Sequence, residues 1–132
     1  MINYDYDYIE KEYGHDTYVG VGEGWVALVN TLTDGIHEIL DRQNNASDSA
    51  DIKLEILQIK EKFGGLRYYY TLTHEDDVYY DLDEGTQNSV SRYVAQMEQV
   101  SYHICEECGK FGERHTTNGW IKTVCEEHKE NG

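Results

Sequence analysis

Four side chains near the end of the sequence have the residue types and the spacing of a metal site. Two residues separate Cys105 from Cys108, two separate Cys125 from His128, and sixteen residues lie between the pairs. A two-residue gap lets both members of a pair reach one ion from a tight turn, and Gly109 permits the bend after the first pair. Four such ligands complete a tetrahedral site. We therefore predict one structural Zn²⁺ per chain.

Two alternatives exist for these residues. The cysteines could be buried or redox-active thiols, but the ligand spacing of His128 would then be a coincidence; or the metal could be catalytic. Catalytic zinc keeps one position open for water, whereas four ligands are available here and three of them are thiolates. Glu113 and His115 lie between the two pairs and could replace a ligand or support one. The HExxH and zinc-deaminase motifs are absent from the sequence. We predict that the protein is not an enzyme.

An acidic run that contains tyrosines is the best candidate for a binding surface. Residues 75–84 hold six acidic residues and no basic one. Acidic side chains interleaved with aromatic rings could imitate the phosphates and bases of a nucleic acid, and so bind a protein that normally binds nucleic acid. A solvated loop and a casual calcium site are the alternatives, although the EF-hand spacing is missing. The residues predicted to bind a partner are Asp76, Asp77, Tyr79, Tyr80, Asp81 and Asp83.

The net charge of −15 restricts the classes of partner. Such a field repels nucleic acid and anionic membranes, and it attracts basic protein surfaces. Residues 1–51 hold eleven acids and two bases, whereas residues 52–74 hold four bases and two acids. This segregation favours a directed surface over uniform solubilisation. We expect a basic protein surface as partner, with no direct binding of nucleic acid or membrane.

The first residues and the cysteines indicate a cytoplasmic protein. The first ten residues have neither a basic region nor a long apolar stretch, so they do not resemble a signal peptide. Residues 25–29 form an apolar run far too short to span a membrane. Three cysteines, two of them in a C-x-x-C pair, suit a reducing compartment and a metal better than a disulfide framework.

Residue patterns near the N-terminus predict a strand followed by a loop. Tyrosines and acids alternate over residues 3–9, which predicts a strand with Tyr4, Tyr6 and Tyr8 on one face. Residues 14–24 carry four glycines and are predicted to form a loop. The loop lacks the full spacing of a phosphate-binding G-x-G-x-x-G motif, so a plain loop is the favoured interpretation.

Apolar periodicity predicts two helices and a hairpin in the rest of the chain. Three- and four-residue spacing predicts amphipathic helices over residues 24–42 and 86–104. Alternation predicts strands over residues 52–61 and 66–72, which a Phe-Gly-Gly turn joins as a hairpin.

These elements predict an α+β fold in one domain of 132 residues. Two amphipathic helices pack on a small antiparallel sheet formed within residues 1–104. Residues 105–130 form a zinc knuckle within the same domain. A strand that ends at Cys125 and a short helix that carries His128 would make this knuckle treble-clef-like.

Three sequence blocks carry a family resemblance: IKEKFGGLRYYY, ICEECGKFGE and GWIKTVCEEH. Together they resemble a motif set of small bacteriophage and prophage proteins, over roughly residues 52–130. Among small acidic phage proteins with such a zinc knuckle, the resemblance implies an anti-CRISPR protein. It implies binding to a type II CRISPR effector nuclease in the bacterial host cytoplasm, with interference in guide or target-DNA loading. No catalytic residue comes with the resemblance.

Other functions stay open at this point. The protein could be another phage or mobile-element interaction protein, such as a regulator of host transcription or an immunity protein for a basic toxin. A zinc-knuckle nucleic-acid binder is disfavoured because phosphate recognition needs a basic face. An enzyme is the least favoured class.

Overall fold

A computed structural model describes residues 6–12, 18–46, 51–74 and 84–129 of the chain. These residues form three α-helices, five β-strands and three short 3₁₀ turns. The helices are α1 (Tyr6–Glu12), α2 (Val26–Ala46) and α3 (Glu84–Val100). The strands are β1 (Tyr18–Gly20), β2 (Ile52–Lys62), β3 (Gly65–His74), β4 (Glu113–Thr117) and β5 (Trp120–Val124). The 3₁₀ turns are Glu23–Trp25, Ser101–His103 and Glu126–His128.

The strands form two separate sheets. In the larger sheet β2 lies between β1 and β3, and β2 and β3 form the predicted antiparallel hairpin around Phe63 and Gly64. The short β1 pairs with β2 in parallel, a strand that the glycine-rich sequence did not reveal. The smaller sheet is the β4–β5 hairpin, which belongs to the C-terminal knuckle. The predicted α+β fold is confirmed.

Helices α2 and α3 cover one face of the larger sheet. The apolar stripe of α2 buries Leu28, Leu32, Ile36 and Leu40, among others, against the alternating apolar residues of β2 and β3. Gly35 lets the two helices approach closely, because a Cβ atom there would lie 2.2 Å from the ring of Tyr93. Gly35 therefore has a packing role in α2, although glycine lowers helix propensity.

The predicted strand over residues 3–9 is wrong where the structure describes it, since α1 begins at Tyr6. Ile9 is fully buried in the core, and Tyr6 packs beside it three residues earlier. That spacing places both side chains on one face of a helix. Tyr6 also donates a hydrogen bond to the carbonyl oxygen of Gly22 at 2.8 Å. Burial of these side chains outweighs the polar alternation that suggested a strand.

The bounds of the two long helices also shift. A 3₁₀ turn precedes α2, which continues to Ala46, four residues beyond the predicted end. Helix α3 ends at Val100, and a 3₁₀ turn follows before the first cysteine. Among the described residues, no helix combines the length and apolar character needed to cross a bilayer.

Candidate metal centre

The first pair of ligands lies on a tight turn. The backbone N–H of Cys105 donates to the carbonyl oxygen of Lys110 at 2.8 Å, and the N–H of Gly109 donates to the carbonyl oxygen of Cys105 at 3.0 Å. Gly109 has φ +82°, a left-handed conformation that glycine adopts without steric cost. The turn therefore aims the side chains of Cys105 and Cys108 toward the same point.

The second pair spans the end of the small sheet. Cys125 directly follows β5, and His128 ends the 3₁₀ turn that comes next. The backbone N–H of His128 donates to the carbonyl oxygen of Cys125 at 3.1 Å, which folds the imidazole back toward the thiol. The predicted strand before Cys125 is confirmed, and the short helix at His128 is a single 3₁₀ turn.

The four predicted ligands come together. Their ligand atoms all lie within 4.8 Å of one another. The Sγ atoms of Cys108 and Cys125 are 3.7 Å apart, and Nδ1 of His128 lies 3.6 Å from Sγ of Cys105 and 3.2 Å from Sγ of Cys125. A disulfide would require a sulfur separation of about 2.05 Å. The four atoms could instead hold a metal ion, in a Cys₃His cluster that fits a zinc knuckle.

The pKa values of two ligands shift in opposite directions. Burial raises the pKa of the Cys105 thiol, but hydrogen bonds from the backbone N–H groups of Cys125, Cys108 and Glu107 outweigh it and lower that pKa to about 7, which favours the thiolate form that binds a metal. Hydrogen bonds with Cys125 and Cys105 raise the pKa of His128. A proton therefore competes with a metal cation at His128, and metal binding would release it.

The knuckle packs against the end of the glycine-rich segment, at Gly22 and Gly24. The N–H of Gly24 donates to the carbonyl oxygen of Glu106 at 2.9 Å. A Cβ atom at Gly24 would lie 2.1 Å from the carbonyl oxygen of Cys105, and one at Gly22 would lie 2.3 Å from that of Glu106. The indole N–H of Trp25 donates to the carbonyl oxygen of Ile104 at 2.8 Å. These glycines serve close backbone approach, which their spacing alone did not predict.

Glu106 is a second contributor that the sequence analysis missed. Its side chain is buried and accepts a hydrogen bond from the N–H of Thr123 at 2.7 Å. Its own N–H donates to the carbonyl oxygen of Thr123 at 2.9 Å. Burial raises the pKa of Glu106, an effect that the Thr123 hydrogen bond opposes. The carboxyl group ties the Cys105 turn to β5, and no sequence signal distinguishes it from the exposed Glu107.

His115 and Glu113 lie on β4 and are not part of the Cys₃His cluster. His115 instead lines an open cleft of about 580 Å³ beside the cluster, together with His128, Trp120 and the ion pair between Lys122 and Glu107. The possibility that His115 replaces a ligand therefore finds no support among the residues that the structure describes.

The predicted partner surface lies outside the described residues, because residues 75–83 are not described. It stays a prediction. Its residues are Asp76, Asp77, Tyr79, Tyr80, Asp81 and Asp83.

Comparisons with known proteins do not assign the chain to a family. No protein-family model, curated protein or solved structure matches the chain.

Proposed function

We propose that the Cys₃His cluster binds one zinc ion in a structural role. In a tetrahedral zinc site, Zn–S bonds of about 2.3 Å place two sulfur atoms about 3.8 Å apart, and a sulfur and a nitrogen about 3.6 Å apart. The distance of 3.7 Å between the Cys108 and Cys125 sulfur atoms and that of 3.6 Å between Cys105 and His128 agree with these values. The distance of 3.2 Å between Cys125 and His128 is shorter, and these two atoms would move apart around an ion. Soft thiolates select zinc over magnesium or calcium.

The closed ligand set supports a role without catalysis. Four protein ligands leave no coordination position for a water molecule or a substrate. Three thiolates also donate enough charge to leave the zinc a weak Lewis acid. Metal analysis by mass spectrometry tests the zinc: we expect one zinc per chain in protein purified without added metal. A preparation that folds fully with no metal would contradict this part of the proposal.

We propose that the protein acts by binding another protein and that the zinc knuckle stabilises its fold. We propose that the partner is a basic protein surface, specifically that of a type II CRISPR effector nuclease, and that binding blocks guide or target-DNA loading. The observation that carries this proposal is the charge of −15 in a chain of 132 residues. Such nucleases hold nucleic acid in positively charged channels. An acidic domain would associate with such a channel quickly and in a salt-dependent manner, and a metal-clamped fold would lose little conformational freedom on binding.

A cleavage assay with purified nuclease, guide RNA and target DNA tests this function. We expect the parent protein to slow cleavage and to bind the nuclease, with association weakened by salt. Reversing Asp76 and Asp77 to Lys should slow association. The matched control reverses Glu12 and Asp41, exposed residues of α1 and α2, and so makes the same change in net charge.

Each outcome of this assay has a defined meaning. If several type II nucleases cut normally in a large excess of the protein and none binds it, the proposed function fails. If inhibition occurs and both charge-reversed proteins inhibit equally well, the function stands and the acidic run is not the binding surface.

A further inference from the structure

Basic side chains lie together on the outer face of the β2–β3 hairpin. Lys60 and Arg67 are direct cross-strand neighbours, and Lys62 lies two residues further along the same face of β2. Like charges directly opposite each other destabilise a sheet. Among the described residues, none of the three lies within 4.0 Å of a carboxylate. A chain with 26 acidic and 11 basic residues could easily supply one, so fold stability does not explain this arrangement.

Folding uses the opposite face of the same hairpin. The buried side chains of β2 and β3 point toward α2 and α3, and they include Ile56, Ile59, Leu66 and Tyr68. Strand alternation therefore turns Lys60, Arg67 and their neighbours away from the core.

Exposed aromatic rings lie beside these cations. Nζ of Lys60 is 5.8 Å from the ring centroid of Tyr69, which is 42% exposed. Nζ of Lys62 is 5.8 Å from the ring centroid of Phe63, which is 58% exposed. Rings and cations thus alternate across one end of the hairpin.

The knuckle extends the same surface. Trp120 is 67% exposed and lines, together with Phe63, a groove of about 280 Å³ between the tips of the two hairpins. The Arg114 guanidinium donates to the carbonyl oxygen of Phe63 at 2.9 Å, which adds a fourth cation. The β2–β3 and β4–β5 hairpins together hold six of the 11 basic residues and only three of the 26 acidic ones.

Phe63 combines an exposed ring with an unfavourable backbone conformation, and this combination indicates a functional role. Phe63 has φ +54°, a left-handed conformation that is unfavourable for a bulky residue and that glycine or asparagine adopts readily. Its ring gains little burial in return. Strain held at an exposed residue is a recognised sign of a functional surface.

We propose that this surface, the tip patch formed by Lys60, Lys62, Phe63, Arg67, Tyr69, Arg114 and Trp120, binds single-stranded nucleic acid. Aromatic rings stack with unpaired bases, and Lys and Arg between them neutralise phosphates. A duplex hides its base faces, and an acidic peptide offers no flat bases to stack on the exposed rings. The combination of rings and cations therefore matches a single strand best.

The net charge of the chain does not exclude this binding. Charges on the other faces of the molecule act through water, where the Debye length is about 8 Å at physiological salt. They slow association and lower affinity without cancelling contacts at the tip patch. The proposal departs from the expectation drawn from net charge, because the tip patch draws most of its cations from residues 52–74, where bases outnumber acids. It does not depend on the proposed nuclease partner.

Fluorescence anisotropy with a labelled single-stranded oligo-dT of about ten nucleotides tests the proposal, since known sites cover about 4–16 nucleotides. We expect binding at low salt that weakens roughly 50-fold between about 50 and 200 mM salt, as four neutralised phosphates predict for a single strand. The emission of Trp120 should be quenched on binding. The second tryptophan, Trp25, is fully buried and should not respond.

Two matched double variants locate the site. Lys60→Gln with Arg67→Gln should weaken binding and reduce the salt dependence to roughly 7-fold, because two phosphate contacts remain. Removing the like-charge pair should leave the melting temperature unchanged or higher. Arg42→Gln with Arg92→Gln makes the same change in net charge on exposed positions of α2 and α3, and should bind like the parent protein.

Three results would overturn the proposal. The first is no binding of oligo-dT at about 100 µM protein, the weak end of non-specific affinities. The second is equal weakening by both double variants, which would show an effect of net charge alone. The third is displacement of the oligonucleotide by an equal concentration of polyglutamate, which would assign the tip patch to acidic protein segments.

Discussion

The main core and the knuckle are stabilised by different means. Among the residues that the structure describes, fifteen hydrophobic side chains are buried in one cluster of the main core, which the larger sheet and its helices form. The knuckle, residues 105–128, buries a cluster of three, and two of these are the ligands Cys105 and Cys125. Three side chains cannot offset the conformational entropy of more than twenty ordered residues. We therefore expect the knuckle to depend on the proposed zinc ion, whereas the main core resembles an ordinary small domain.

The two regions meet through direct backbone contacts. Backbone meets backbone at Gly22 and Gly24, and the fully buried Trp25 belongs to the main core while its indole N–H binds the carbonyl oxygen of Ile104. Loss of the metal should thus be felt by the main core, though less than by the knuckle. Substitutions in both regions test this difference.

The largest effect is expected for Cys108→Ser. Cys108 is exposed, so the substitution removes a metal ligand without opening a cavity. In comparable zinc peptides the metal contributes about 10–16 kcal/mol of apparent binding free energy, which is also folding free energy. We expect loss of stoichiometric zinc and an unfolded knuckle, with most helical circular dichroism retained by α2 and α3. A variant that keeps its zinc and melts like the parent protein would show that Cys108 is not a ligand.

The next effect is expected for Gly24→Ala, which separates the two regions. The new methyl group would meet the carbonyl oxygen of Cys105 at 2.1 Å and that of Glu106 at 2.7 Å, and backbone cannot move aside cheaply. Overpacking typically costs about 1–3 kcal/mol, and we expect a loss of about 3 kcal/mol or more. Urea unfolding measures it. Gly119→Asn is the control, because that position is open and has a left-handed φ that asparagine tolerates.

A smaller loss is expected for Gly35→Ala, the corresponding change within the main core. The methyl group would meet the ring of Tyr93 at 2.2–2.4 Å, and that ring is the far end of a mobile side chain. Alanine also gains about 1 kcal/mol of helix propensity over glycine. We expect a net loss of about 1–2 kcal/mol in urea unfolding, and Gly35→Ala combined with Tyr93→Ala should lose less than the two separate effects added together. Strict additivity would show that the two residues do not touch.

The difference between the regions also determines what the sequence could reveal. Helices α2 and α3 and the β2–β3 hairpin repeat their apolar residues over many positions, so their periodicity predicts them. The ligand set is equally visible, because metal chemistry permits few residue types and spacings. The contacts of Gly22 and Gly24 with the knuckle join segments some eighty residues apart, and the buried Glu106 carboxyl accepts from Thr123, seventeen residues away. No local pattern records these contacts. Helix α1 was mispredicted for the same reason, since the burial of Ile9 is a tertiary effect.

The smallest effect concerns the two hairpin turns, one from each region. Phe63 in the β2–β3 turn and Asn118 in the β4–β5 turn have nearly the same left-handed backbone, with φ of +54° and +52°. Asparagine tolerates this conformation, whereas a bulky residue pays roughly 1–2 kcal/mol. Phe63→Asn should therefore stabilise the protein by about 1 kcal/mol, and Asn118→Phe should destabilise it by a similar amount. Paired thermal melts measure both changes, and a midpoint that falls for Phe63→Asn would contradict the assignment of strain.

The stabilised Phe63→Asn protein should also lose affinity for oligo-dT if the Phe63 ring is a stacking surface. A gain in stability together with a loss of binding would distinguish a residue retained for function from one retained for the fold.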